Sequence, residues 1–69
     1  MNGENTLSYR IQQAMDNRGV TQADLARMTG LSTAIVSQIV SGRTKDPRFA
    51  SIVTIARALD VSLDYLAGK

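Results

Sequence analysis

A chain of 69 residues with eight basic and six acidic side chains, net charge +2, has room for one small domain with a thin core. It contains no Cys and no His, which excludes disulfide staples and the common zinc sites, so stability must come from packed helices or from a partner chain. No run approaches the roughly 20 apolar residues of a membrane helix, and the small positive excess permits a nucleic-acid partner without demanding one.

In chain order, Met1 to Asn5 is polar and lacks a basic-then-apolar signal pattern, so residues 1–5 read as a flexible arm and residues 6–69 as the domain. The cysteine-free composition fits a reducing cytoplasm. Leu7, Ile11, Ala14 and Met15 stand at i, i+4, i+7 and i+8, one stripe of an amphipathic helix, and Gly19 suits its left-handed C-terminal cap.

The next boundary is more fully marked. Thr21 is a cap with Asp24 at the third helical position, and Val20 and Leu25 flank the cap as a hydrophobic staple. Leu31-Ser32-Val36 repeats that arrangement for a third helix, and Val61-Ser62-Leu66 repeats it for a last one. Between them Gly42 to Pro47 reads as a loop, because Pro47 disfavours helix at Asp46. Ile52, Ile55, Ala56 and Leu59 then mark a fourth helix, with Phe49 and Val53 beside the stripe. No segment alternates apolar and polar residues long enough for a strand. The expected fold is all-α, with five helices.

Residues 22–41 hold the densest information. One helix ends near Thr29, Gly30 turns the chain, Leu31 plugs the turn and Ser32 starts another helix. Two helices joined by so short a Gly-containing connection must cross steeply, which places a small residue, Ala26, at their closest approach. This stretch resembles the helix-turn-helix of the lambdoid phage repressor and Cro family, often called XRE-like. The matching residues are Gln22-Ala23-x-Leu25-Ala26, then Gly30-Leu31-Ser32, then Val36-Ser37-x-Ile39. The likeness continues through Gly42-Arg43-Thr44-Lys45-x-Pro47-Arg48-Phe49 and Ala56-x-Ala58-Leu59-x-Val61-Ser62-x-Asp64-x-Leu66, nearly the whole chain after Asn5.

The resemblance implies a compact lambda-repressor-like domain that binds a double-stranded DNA operator. The helix from Ser32 to Ser41 would lie in the major groove, and the helix from Gln22 to Thr29 would cross the backbone. Carried over by position, Thr33, Ala34, Ser37 and Gln38 stand where family members contact bases. Gln22, Ser32, Arg43, Thr44, Lys45 and Arg48 stand where they contact phosphates. Phe49, Val61 and Asp64 mark the expected contact of a homodimer on a palindromic operator, and RNA polymerase is the protein that such a regulator would exclude or touch.

Residue chemistry is compatible with that division. Gln38 can bond a base edge in two places, best on adenine; Thr33 and Ser37 offer short hydroxyls; Ala34 offers only close approach or contact with a thymine methyl. Ile35 has two readings, a second methyl contact or an extension of the core. The basic loop attracts phosphate without reading sequence, and free N–H groups at the start of the fourth helix favour an anion. Plainer readings stand beside these: Gln38, Thr33 and Ser37 as ordinary surface residues, Ser32 as a cap alone, and the basic loop as solvated charge. Arg10, Arg18, Arg27 and Arg57 read as surface charges, with a phosphate contact as the alternative for Arg10 or Arg27, and Tyr9 and Tyr65 read as core edge or interface.

Two departures from the family pattern stand out. The recognition helix is poor in amide and basic side chains, so DNA shape would carry part of any specificity. Where some relatives bury an Arg–Glu pair between the first and third helices, this chain has Met15 and Val40, which predicts an apolar contact free of the desolvation cost of a buried ion pair. An enzyme is not expected: there is no His or Cys, no phosphate-cradling glycine loop and no obvious carboxylate pair, and neither a cofactor nor a small-molecule substrate is implied. The rival reading is an antitoxin that also binds a toxin, which shares the fold and would need an additional toxin-binding segment. Both a complete Cro-like protein and the N-terminal domain of a longer repressor fit the residues.

Overall fold

A computed structural model describes residues 6–44 and 46–68. The proposed arm at residues 1–5, together with Lys45 and Lys69, lies outside the described residues. Among the described residues there are five helices and no strand: α1 (Leu7–Arg18), α2 (Gln22–Thr29), α3 (Thr33–Ser41), α4 (Phe49–Leu59) and α5 (Leu63–Leu66).

Local chemistry sets most of the boundaries. Thr21 and Asp24 form a reciprocal capping box at α2, with Asp24 N–H donating to Thr21 Oγ1 at 3.0 Å and Thr21 N–H donating to Asp24 Oδ2 at 3.1 Å. Ser32 accepts from Ile35 N–H at 3.1 Å and Ser62 from Tyr65 N–H at 2.9 Å, so each serine is a cap outside its helix. The residues before these caps, Val20, Leu31 and Val61, are half-buried and pack on the core that holds Leu25, Val36 and Leu66. Thr6 caps α1 by accepting from Tyr9 N–H at 3.2 Å. The first four helices each end on a residue in the left-handed region; for α4 this is Asp60, at φ 55°, the one non-glycine with positive φ among the described residues. Asp60 also meets Arg18 at 3.4 Å, an exposed pair of small energetic weight.

The stripes converge on one core. Ile11, Leu25, Val36, Ile55 and Leu59 are fully buried, each removing about 1.5–3 kcal/mol worth of apolar surface from water. Ala14, Met15, Ala26, Ile39, Val40, Ala56 and Leu66 complete the cluster, and no polar or charged residue among those described is buried. α1 rests on α3, α4 and α5, while α2 rests on α3 and α4. The core thus clamps α3 along one side only.

The expected apolar seam between α1 and α3 is present. Met15 and Val40 are both buried in the core cluster and border the same concavity. One directional bond accompanies it: the Gln12 side-chain amide donates to Val40 O at 2.7 Å, tying α1 to the C-terminal end of α3. Tyr65 is half-buried against the core, which puts it at the core edge, whereas Tyr9 is an exposed residue of α1. The Arg10 guanidinium carbon stands 5.7 Å from the centre of the Tyr65 ring, where a cation is attracted to the ring face.

Candidate nucleic-acid interface

The nine residues of α3 divide by helical register. Val36, Ile39 and Val40 are buried, while Thr33, Ala34 and Gln38 are exposed and Ser37 is half-exposed. Ile35 is 43% exposed, so of its two readings the structure favours a surface position at the margin of this outer face. The outer face is therefore built of short polar groups, one amide and two apolar contacts.

Two turns fix the position of this face. At the first, Gly30 has φ 78°, a conformation a residue with Cβ adopts only with strain. Thr29 then links the turn to the helix before it: its hydroxyl donates to Leu25 O at 2.7 Å and accepts from Leu31 N–H at 3.2 Å. At the second turn Gly42 has φ 80°, and a Cβ there would stand 3.0 Å from Ser8 Oγ of α1. That geometry bends the chain back over the end of α3, so Arg43 N–H and Thr44 N–H both donate to Gln38 O, at 3.0 and 3.3 Å.

The residues after Gly42 consequently lie against α3 and not away from it. Arg43 donates through Nε to Ser41 Oγ at 3.1 Å and through Nη2 to Ser37 Oγ at 3.3 Å. Thr44 Oγ1 makes a long contact of 3.5 Å with Gln38 Oε1, in which the hydroxyl is the donor. Arg48 is exposed, its side chain has no hydrogen-bond or ion-pair partner among the described residues, and it occupies the cap position of α4 without a side-chain cap bond. The first N–H groups of α4 are thus uncovered by any side chain of the cap residue, as an anion site at a helix start requires. Gln22 and Ser32 are exposed at the starts of α2 and α3, and Lys45 lies outside the described residues.

At the start of α2, Asp24 carries a carboxyl whose acidity the fold alters. The Thr21 backbone N–H, then the Arg27 side chain, hold its carboxyl below the usual aspartate value. Its role is the start of α2, where it completes the capping box with Thr21.

The three positions expected at a dimer contact do not share one setting. Phe49 is 72% exposed, Asp64 is exposed, and Val61 is half-buried on the core. Phe49 borders an apolar groove with Leu7, Ile52, Leu63, Leu66 and Ala67, formed by α1, α4 and α5. Leu63, 39% exposed, was not among the expected interface residues; its period along α5 gives no sign that it would point outward.

Comparison with known proteins decides what this arrangement is. The helix-turn-helix family model matches residues 11–66, from the first buried residue of α1 to the last of α5. The chain belongs to the XRE-like helix-turn-helix family. Within it, the chain is 42% identical over 62 residues to the HTH-type transcriptional regulator for conjugative element R391 of Providencia rettgeri, covering 90% of this chain and 28% of that protein. It is 30% identical over 64 residues to an uncharacterized HTH-type transcriptional regulator of Coxiella burnetii, covering 93% of this chain and 30% of the relative. A third relative, putative protein P2 of Acyrthosiphon pisum secondary endosymbiont phage 1, is 34% identical over 47 residues, 68% of this chain and 50% of that protein. The chain spans under a third of the length of the first two relatives. No solved structure gives a significant match. Among the described residues, no helix is long and apolar enough to cross a membrane.

Proposed function

We propose that this helix-turn-helix domain binds a palindromic DNA operator as a homodimer and represses transcription there, as a cytoplasmic regulator of phage type. The observation that carries this reading is the outer face of α3: a family-matched helix clamped by the core on one side, with Thr33, Ala34 and Gln38 exposed on the other. In the major groove, Gln38 would bond an adenine edge, Thr33 and Ser37 would offer hydroxyls, and Ala34 and Ile35 would meet thymine methyls. Gln22, Ser32, Thr44, Lys45 and Arg48 would hold phosphates and so set register without reading sequence. The uncovered start of α4 beside exposed Arg48 supports this assignment.

Dimerisation would use the apolar groove at Phe49 and Leu63, together with the expected contact positions Val61 and Asp64. An exposed phenylalanine beside an apolar groove is the kind of surface that a second copy covers. A mobile-element setting is supported by relatives that are named as regulators for conjugative elements and as a phage protein. Repression would follow from occluding RNA polymerase at the operator.

Selection of bound sequences from a random duplex pool at moderate salt tests the reading. A recovered palindrome with half-sites one helical turn apart, about 34 Å, is the expected result. If no sequence is enriched even at low salt, sequence-specific DNA binding by this domain is refuted.

A further inference from the structure

We propose that Arg43 reads a guanine base from the edge of α3, in place of the phosphate contact that its loop position implies. The proposal rests on the DNA-binding reading and deepens it. Arg43 follows the recognition helix in sequence, yet the left-handed turn at Gly42 returns the chain onto that helix. Ser37 and Ser41, four residues apart on one side of α3, then accept the two side-on N–H groups of the guanidinium, from Nη2 and Nε. Ser41 is also oriented: its own proton goes to Gln38 O at 3.2 Å, which leaves its lone pairs to the arginine.

A guanidinium has five N–H donors in a fixed plane, and two are used here. The end-on pair on Nη1 and Nη2 has no partner among the described residues. That parallel pair matches the two adjacent acceptors of guanine, O6 and N7. Adenine offers N7 beside an amino donor, which turns one of the two bonds into a clash. A phosphate contact needs only charge and tolerates a mobile side chain; here the side chain is held by both serines and its fork is directed by them. Arg43 thereby supplies the long, planar donor that the sequence of α3 itself lacks.

The test compares wild type, Arg43→Ala and Arg43→Lys in selection from a random duplex pool, followed by titration on the recovered operator at several salt concentrations. The expected result is a guanine at one fixed position of each half-site, whose replacement by adenine weakens wild type about 5- to 150-fold and weakens Arg43→Ala little. Replacement by 7-deazaguanine, which lacks only N7, should give a smaller loss confined to wild type. Arg43→Lys should keep the salt dependence of wild type and weaken the guanine preference without abolishing it, because an ammonium can donate to O6 and N7 but has no planar fork for the two serines to hold. If Arg43→Ala selects the wild-type motif and binds every sequence more weakly, with a salt slope lower by about one, Arg43 is a phosphate contact and the proposal falls while DNA binding stands. If wild type enriches no motif, both fall. Since Arg43 is exposed, the melting temperatures of the variants should equal that of wild type.

Discussion

On one side of α3, Val36, Ile39 and Val40 are buried among residues of the other helices; on the other, Thr33, Ala34 and Gln38 contribute nothing to that core. The two sides share a backbone and obey different constraints. The inner side must match a volume, because interiors are close-packed and each lost methylene leaves unfilled space. The outer side must only remain polar enough to stay in water. Its residues can change without loss of fold, so a regulator of this build can acquire a new target while its scaffold stays fixed.

The sharpest way to break that comparison is to alter each side alone. Ile39→Ala should cost about 2–5 kcal/mol of stability, measured by urea or thermal unfolding, and leave base preference unchanged while the protein remains folded. A changed preference in the folded protein would mean that the two sides are not separable. Gln38→Ala should do the reverse, costing about 1–3 kcal/mol of binding at one operator position. Its stability should stay within about 0.5 kcal/mol of wild type. Equal weakening on all sequences would remove Gln38 from the base readers.

Ser32, at the boundary, sharpens the comparison further. Ser32→Ala should cost about 1 kcal/mol of stability through the lost cap bond to Ile35. If binding to all sequences falls beyond what the folded fraction explains, the hydroxyl is a phosphate ligand as well; if it does not, the serine is a cap alone.

The smallest effect belongs to α2. The Asp24 carboxyl is held below its ordinary value in the folded chain, so its contribution is present above the unfolded value of about 4 and is lost as pH falls through the folded one. The melting-temperature gap between wild type and Asp24→Ala should be open at neutral pH and close in acid. A gap independent of pH would assign the effect to helix propensity instead of charge.

What could be read from the residues follows a similar division. The caps at Thr21, Ser32 and Ser62 were legible because cap and staple are short-range: five or six consecutive residues contain the whole signal. The register of α3 followed from its start, and with it the exposed set at Thr33, Ala34 and Gln38. Thr6 as a cap was missed, having no apolar residue before it in a staple. Asp60 in the left-handed region was missed because aspartate tolerates that conformation without announcing it as Gly19 does. The Thr29 relay, the Gln12 bond to Val40 O and the return of Arg43 onto Ser37 and Ser41 all depend on how turns place one helix against another. Spacing along a chain carries no record of that, so Arg43 was grouped with the phosphate-facing loop.

The packing of α1 against α5 has a consequence for how the protein is made. Ile11 and Leu66 belong to one core, yet 55 positions separate them in the chain. At the usual pace of about 5–20 residues per second, a ribosome takes roughly 3–11 s to travel that distance. Throughout that interval the apolar stripe of the first helix waits for its last cover, and a nascent chain carrying α2 and α3 already complete still lacks a closed interior. The part expected to meet DNA is thus made early and finished late.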